Sequence, residues 1–191
     1  MPAFIRYEVV QAVVEASASV TTRAWATARS ERKSVRFTAE SYHAPVILDD
    51  PKRIGDLLSR TRRIAVLGIK TEAQSDQPAF YVPQYLIAAG LEVIPVPVYY
   101  PEATTILGKP VHRTLASIPG EVDLVDVFRR PKDLESHLED ILAKKPKAVW
   151  LQLGIRDDAF AAKLAAAGID VVQDRCIMVD HRAHIANASS R

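Results

Sequence analysis

The chain contains a single cysteine, Cys176, among its 191 residues, which excludes an internal disulfide and a zinc site built from several cysteines. Such low cysteine usage is typical of a reducing compartment. No apolar run approaches the roughly 20 residues that a membrane-spanning helix needs. The net charge is only +2, so there is no general field that would attract nucleic acid. These absences favour a soluble, cytoplasmic protein that binds neither membranes nor nucleic acids.

Hydrophobic residues make up 48% of the chain, which is enough to fill the core of one domain. The first 36 residues differ from the rest, because they hold six basic and three acidic side chains and no glycine. Three interpretations stay open for them: an organelle transit peptide, which Glu8 and Glu15 disfavour, a disordered basic arm, or an extension without a role. We expect a disordered extension over residues 1–40, a folded domain over 41–185 and a flexible tail over 186–191.

Predicted strands alternate with predicted helices from Ser41 onward. The strands are the apolar runs at 64–68, 91–96, 122–128, 148–153 and 169–172. Helices are predicted to begin at Asp49-Asp50-Pro51 and at Pro131, and a third is predicted over residues 157–167. A fourth lies within residues 78–89, where Pro83 either begins the helix or kinks it. A further helical turn is predicted near residues 113–116. Strands joined by helices of about 10–15 residues indicate right-handed crossovers. We therefore predict an α/β, Rossmann-like, doubly wound fold with a mostly parallel five-stranded sheet in three α/β/α layers.

The ends of the predicted strands are expected to converge, since ligands of such sheets bind beyond the carboxyl ends. The segments concerned are Gly68-Ile69-Lys70, Pro95-Val96-Pro97, Phe128-Arg129-Arg130, Gln152-Leu153-Gly154 and Asp174-Arg175-Cys176. Gly68 permits close approach of backbone and ligand, and the amides after it suit a phosphate. Lys70, Arg129 and Arg130 add positive charge. Two arginines beside a helix N-terminus oppose its dipole, so a bound phosphate explains them better than solvation alone.

Other side chains near these ends leave alternatives open. Gln152 follows a strongly apolar run and is either a ligand contact or a satisfied core amide. The Tyr99-Tyr100 pair is interpreted as loop packing, with adenine stacking as the alternative. For Cys176, burial as a small hydrophobe competes with a reactive thiol beside Arg175.

The sequence argues against a nicotinamide dinucleotide. The loop after the strand at 64–68 holds one glycine, Gly68, where the G-x-G-x-x-G fingerprint needs three. The next strand ends in Pro95-Val96-Pro97 and supplies no acid for the ribose hydroxyls. We therefore expect no NAD.

The sequence contains no motif that is typical of a catalytic or metal-binding site. No serine or cysteine pairs with one of the five histidines in a known nucleophile arrangement. Asp123 and Asp126 lie three apart on a strand, so they face opposite sides and form no acid–base pair. His181 and His184 have no further ligands nearby and are interpreted as solvated tail residues rather than a metal site. We therefore expect no catalytic residue and no metal.

Three segments together resemble a known family. Residues 123–131, 148–155 and 174–178 have the sequences DLVDVFRRP, AVWLQLGI and DRCIM. They closely resemble the small standalone CoA-binding proteins, which in turn are similar to the nucleotide-binding domain of the succinyl-CoA synthetase alpha subunit. The similarity runs from about Asp50 to about His181. It implies a Rossmann-like CoA-binding fold with no assigned enzymatic activity.

The resemblance implies ligand contacts at every strand end. These are Gly68, Ile69 and Lys70 at the pyrophosphate and Pro95, Pro97, Phe128, Arg129 and Arg130 along the nucleotide. Gln152, Gly154 and Cys176 would border the thiol-bearing arm or complete the pocket. The chain departs from the family where Lys70 replaces a small hydroxyl residue and Pro97-Val98 replaces Asn-Pro. Residues 77–80, Gln-Pro-Ala-Phe, also replace Arg-Pro-Ser-Tyr.

The leading hypothesis is a non-catalytic or regulatory module that binds CoA or an acyl-CoA. It would act as a homo-oligomer or beside an acyl-CoA enzyme as its partner. Two alternatives stay open. One is an enzyme of unassigned reaction that uses a nucleotide or CoA thioester, and the other is an interaction module whose Rossmann fold has lost its ligand.

Overall fold

Six parallel strands form the centre of the structure, a computed structural model that describes residues 46–189. In chain order they are β1 (Ile47–Leu48), β2 (Arg63–Leu67), β3 (Glu92–Val96), β6 (Leu124–Val127), β7 (Ala148–Leu151) and β8 (Asp170–Val172). Two short strands, β4 (Thr105–Ile106) and β5 (Lys109–Pro110), pair antiparallel as a separate hairpin. The sheet order is β1-β8-β7-β6-β2-β3. The predicted parallel sheet is confirmed, but it has six strands rather than five, because β1 adds to the edge beside β8.

Five α-helices occur within the described residues. They are α1 (Pro51–Arg60), α2 (Pro78–Ala88), α3 (Leu138–Lys144), α4 (Asp158–Ala166) and α5 (Ile177–Ser189). Helices α1 and α4 begin where the sequence predicts, because an aspartate accepts a backbone N–H in each first turn. Asp50 accepts from Arg53 and Asp157 accepts from Phe160, both at 2.9 Å. Pro83 lies inside α2, which begins at Pro78.

Two local predictions need correction. The helix predicted from Pro131 begins only at Leu138, since residues 131–137 form two 3₁₀ turns, Pro131–Asp133 and Glu135–His137. The turn of helix predicted near 113–116 is absent, and that stretch consists of bends and a turn. Its shape is fixed instead by Asp140, whose carboxylate accepts the backbone N–H groups of Leu115 and Ala116 at 2.7 and 2.9 Å.

Side chains that alternate along the strands fill two cores. On one face of the sheet, Val125 and Val127 pack in a cluster with Ile141 of α3 and Phe160 of α4. The other face joins residues of α1, α2 and α5 to the strands, in a cluster that includes Ile54, Leu86, Leu124, Trp150 and Ile177. Helices therefore cover both faces, which confirms the three-layer Rossmann-like fold.

Helix α5 corrects the interpretation of the C-terminal histidines. His181 is only 7% exposed, and its Nδ1 lies 3.0 Å from the hydroxyl of Tyr85. Burial lowers the pKa of His181, and the neighbouring His184 acts in the same direction. His181 is therefore a packed residue of a helix rather than a solvated tail residue. The helix continues to Ser189, beyond residue 186 where a tail is predicted to begin.

The predicted extension over residues 1–40 lies outside the described residues. Among the helices of residues 46–189, none combines the length and the apolar character that crossing a membrane requires.

Candidate functional site

The carboxyl ends of β7, β6, β2 and β3 lie side by side, because these strands are neighbours in the sheet. The chain passes from β2 to β3 on one side, whereas β6 and the strands after it lie on the other side. The strand order therefore reverses between β2 and β6. Ligands of open α/β sheets bind at such a switch point. The predicted ligand-binding segments that follow these four strands all lie along this edge.

Gly68 lies against the end of β6 at the switch point. Its φ of +88° is in the left-handed region, which favours glycine. A Cβ atom at Gly68 would lie 2.6 Å from the carbonyl oxygen of Phe128 and 3.0 Å from Cδ of Arg129. The absence of a side chain thus lets the loop after β2 touch the loop after β6.

Two clefts open along this edge of the sheet. The first has a volume of about 290 Å³ and is lined by the last residue of β3 and residues 97–99 after it, together with Arg113 and His137; we call it the β3 cleft. The second has a volume of about 400 Å³ and is lined by the start of α2 and the segments that follow β6 and β7; we call it the β7 cleft. Six of the residues predicted as ligand contacts line the β7 cleft: Phe128, Arg129, Arg130, Gln152, Gly154 and Cys176.

Two cationic side chains converge on the ring of Tyr99, a residue of the β3 cleft. The Nζ atom of Lys70 lies 5.4 Å from the ring centroid, and the Cζ atom of Arg129 lies 5.2 Å from it. The hydroxyl of Tyr99 has a lowered pKa, first because Arg129 hydrogen-bonds to it and second because of the guanidinium charge. Tyr99 is half exposed, so cations and aromatic ring together form an accessible surface.

Arg129 is held in place by its neighbours in the 3₁₀ turns after β6. Its Nε donates to Nε2 of His137 at 3.1 Å, and an Nη atom lies 3.5 Å from the carboxylate of Asp133. Burial lowers the pKa of His137, and the charge of Arg129 lowers it further. A neutral His137 has a free ring nitrogen to accept this bond. Arg129 lines the β7 cleft, and its contacts Tyr99 and His137 line the β3 cleft, so its side chain lies between the two clefts.

Arg130 differs from Arg129 in both exposure and partner. Its side chain is 66% exposed, against 11% for Arg129, and its Nε donates to Asp133 at 2.8 Å. An exposed ion pair of this kind contributes little stability. The geometry therefore distinguishes the two arginines, which the sequence treats alike.

Two other predicted residues lie inside the core rather than in a cleft. The side chain of Ile69 is 1% exposed and packs with Trp150 and Ile177 in the core cluster. Pro95 is buried within β3, where its carbonyl oxygen accepts the N–H of His112 at 2.9 Å. Pro97, two residues later, lines the β3 cleft. Ile69 can therefore offer a ligand only its backbone.

Gln152 forms part of the wall of the β7 cleft and is tied to a buried acid. Its Nε2 donates to Oδ1 of Asp126 at 2.8 Å, in a pair that joins the end of β7 to β6. Asp126 is completely buried, and burial raises its pKa to about 7. Hydrogen bonds from the Gln152 side chain and the Val127 backbone act in the opposite direction and lower this pKa. Asp123, in contrast, binds the backbone N–H groups of Arg62 and Arg63 at the opposite edge of the sheet. Asp126 therefore binds a side chain of the β7 cleft, whereas Asp123 binds backbone at the other edge of the sheet.

Cys176 lines the β7 cleft directly before α5. This residue is half-buried, and its backbone carbonyl oxygen accepts hydrogen bonds from N–H groups in the first turn of the helix. The guanidinium of Arg175 points to Asp180, with two bonds of 2.8 and 2.6 Å. Arg175 is therefore engaged in an ion pair of its own, and the thiol lies in the cleft wall.

Sequence reasoning missed three residues of this edge. For Tyr99 the sequence favours loop packing over adenine stacking, and it predicts no role for His137 or Asp126. For Asp126 a signal exists, since an acid inside the apolar run of β6 must have a special environment. For Tyr99 and His137 the sequence holds no comparable signal. The contacts of Tyr99 with Lys70 and Arg129 join segments that are far apart in the sequence, and the bond between Arg129 and His137 depends on how the 3₁₀ turns fold. Within the described residues, no group of three or more His, Cys, Asp and Glu side chains is arranged to hold a metal ion.

Comparison with known proteins shows the family to which the chain belongs. Residues 62–182, from the start of β2 into α5, match the family described as CoA binding domain. The chain belongs to this family. The match includes every segment that lines the two clefts.

Relatives from three organisms extend the comparison. The uncharacterized protein YneT of Bacillus subtilis (strain 168) is 34% identical over 128 residues, which is 67% of this chain and 91% of that protein. The solved structure of cell-free ID.343 from Thermus thermophilus is 39% identical, with a TM-score of 0.65 over 71% of this chain and 99% of the other. A hypothetical protein from Pyrococcus horikoshii OT3 is 28% identical, with a TM-score of 0.65 over 75% and 97% of the two chains.

Proposed function

We propose that this protein binds coenzyme A or an acyl-CoA along the carboxyl edge of its sheet, as a binding module rather than as an enzyme. The observation that carries the proposal is the convergence of Lys70 and Arg129 on Tyr99. Membership of the CoA binding domain family supports the same ligand.

The two cations favour a phosphate ligand on electrostatic grounds. Like charges near one ring repel each other, and among residues 46–187 Lys70 forms no ion pair with a carboxylate. Arg129 has only the longer contact to Asp133. An anion bound between them would relieve this repulsion. A guanidinium binds two phosphate oxygens at once and an ammonium acts as a point charge, so the pair suits the phosphates of CoA.

The β7 cleft suits the long arm of CoA. Pro78, Phe128 and Ile155 contribute apolar lining, and Gln152 contributes a side-chain amide. The arm is a flexible chain with two amide groups and a terminal thiol, which matches a mostly apolar wall with a few polar groups. In this placement Arg129 binds phosphate where the clefts meet, and the thiol end of the arm extends toward Gly154 and Cys176.

The loop after β2 disfavours NAD as the ligand. Gly68 is its only glycine, so the three-glycine fingerprint for a dinucleotide is missing. Strand β3 is followed by Pro97, and no carboxylate stands there to bind ribose hydroxyls. The charge and the apolar cleft at this edge therefore favour CoA over NAD.

Thermal unfolding with added ligands tests the proposal. A ligand at 100 times its dissociation constant adds about 2.7 kcal/mol to the free energy of unfolding. We expect a clear rise in Tm with excess CoA or acetyl-CoA and no change with NAD. A rise with NAD alone would refute the proposal. Unchanged melting with all three ligands would favour an interaction module without a ligand.

A further inference from the structure

Asp126 has an unusual position for a carboxyl group. It lies in register between Val66 of β2 and Trp150 of β7, on the face of the sheet whose core cluster is apolar. Oδ2 of Asp126 is the one buried side-chain oxygen or nitrogen without a hydrogen-bond partner within residues 46–187. Burial raises the pKa of the carboxyl to about 7. A buried polar atom without a partner costs about 1–3 kcal/mol, so a residue of this kind calls for a functional reason.

The only side chain that hydrogen-bonds to Asp126 is Gln152, among the residues that the structure describes. The Gln152 amide is 4% exposed, and its Nε2 is taken up by Asp126 Oδ1 at 2.8 Å. Its other polar atom, Oε1, accepts no hydrogen bond from residues 46–187 and is not among their fully buried atoms without a partner. Since Gln152 lines the β7 cleft, Oε1 is the atom that it presents there.

When Asp126 is ionised, above its pKa of about 7, chemistry fixes the direction of this hydrogen bond. A carboxylate accepts hydrogen bonds and cannot donate one, so only the NH₂ group of the glutamine can face an ionised Asp126. A free glutamine amide could turn over and present either its oxygen or its nitrogen to the cleft. The ionised carboxylate of Asp126 removes that freedom. Gln152 is thereby made an acceptor toward the cleft.

We infer that Asp126 is a positioning residue that orients the Gln152 amide so that Oε1 accepts an N–H or O–H group of the ligand in the β7 cleft. This inference rests on the proposed function, because the donors that it needs are those of the CoA arm. That arm carries two amide N–H groups, a hydroxyl and a thiol. The nucleotide part of CoA, 3′-phosphoadenosine 5′-diphosphate, has no such arm and should not depend on Gln152.

The experiment compares two variants of Asp126 against these two ligands. Asp126→Leu removes the acceptor while keeping the site filled with an apolar side chain, and it leaves Gln152 free to turn. Asp126→Asn keeps an oxygen that can accept from Gln152. Affinities for CoA and for 3′-phosphoadenosine 5′-diphosphate would be measured by calorimetry at about pH 8, where Asp126 is ionised, on wild type and both variants, with thermal melts to check folding.

We expect Asp126→Leu to bind CoA about three- to tenfold more weakly, the loss of one neutral hydrogen bond. Its affinity for the nucleotide part should stay at the wild-type value. Asp126→Asn, whose amide can accept from Gln152 or donate to it, should lose CoA affinity by no more than Asp126→Leu does. If Asp126→Leu kept full CoA affinity, or lost affinity for both ligands equally, the positioning role would be wrong while CoA binding stood. Wild-type protein that bound neither ligand would overturn the proposed function and this inference together.

Discussion

The backbone N–H of Lys70 donates a hydrogen bond to the carbonyl oxygen of Ala79 at 3.1 Å. In a regular helix that oxygen would accept from the N–H four residues later. The residue at that position is Pro83, which has no N–H to donate. The proline inside α2 therefore leaves a free acceptor in the first turn, and the loop after β2 uses it. Lys70 is held at the switch point by this bond.

The close approach at Gly68 predicts a large effect of adding one methyl group there. Gly68→Ala would place Cβ 2.6 Å from the carbonyl oxygen of Phe128, in addition to the strain of φ +88°. The matched control is Gly90→Ala, which has the same φ of +88° and no atom within 4 Å of its Cβ.

Left-handed strain alone costs about 1–2 kcal/mol, and steric overlap in a packed site adds about 1–3 kcal/mol. Denaturant unfolding should therefore show Gly68→Ala to be clearly less stable than Gly90→Ala. Equal losses in the two variants would mean that the loops after β2 and β6 can separate without cost.

The two arginines after β6 should differ in their contribution to binding. Arg129→Gln removes the half-buried cation beside Tyr99, and Arg130→Gln removes an exposed one that is paired with Asp133. We expect the first change to weaken CoA binding by about 1.5–3 kcal/mol, the range for a hydrogen bond to a charged group. The second should have little effect. Calorimetry with CoA and dephospho-CoA would also tell whether the 3′-phosphate is the group bound. CoA affinities unchanged from wild type in both variants would assign the arginines to solvation.

Cys176 offers a chemical probe of the β7 cleft. Because it is the only cysteine and lines this cleft, bound CoA should slow its alkylation, whereas NAD should not. CoA disulfide should also react with it: the thiolate attacks one sulfur, a protein–CoA disulfide forms, and one CoA thiol leaves. Intact mass without reductant should then show an adduct of one CoA that reductant removes. If CoA did not slow alkylation and no adduct formed, the thiol would lie outside the part of the cleft that holds the arm of CoA.

The buried carboxyl of Asp126 predicts how stability depends on pH. Its pKa rises from 3.8 to about 7 on folding, so the folded state binds a proton more tightly than the unfolded state. The free energy of unfolding should therefore fall as pH rises from about 4 to 7, by about 4 kcal/mol for this group. Asp126→Asn should remove that slope and melt above wild type at pH 8, with little difference near pH 4. Parallel pH profiles for the two proteins would contradict the assignment.

Much of the fold could be predicted from the sequence because its signals are local. Apolar runs such as Ala148–Leu151 identify buried strands, and Asp50 and Asp157 mark helix starts. Strand β1 was missed because two residues carry no periodicity. Helix α5 was missed because His181 occupies a buried position where an apolar side chain would normally signal the helix.

The candidate site was only partly predictable for a different reason. Strand ends could be placed together from topology, and the structure does bring Gly68 and Arg129 into contact range. The difference between Arg129 and Arg130 depends on which of them meets Tyr99 and His137, and no local pattern encodes that. The orientation of Gln152 depends likewise on Asp126, a residue from another strand.

The central claim, that this edge of the sheet holds CoA, is tested most directly by titrating the wild-type protein in a calorimeter. The account predicts saturable binding of one CoA per chain, competition by acetyl-CoA for the same site, and no binding of NAD at matched concentrations. Saturable binding of NAD with no heat from CoA or acetyl-CoA would contradict it.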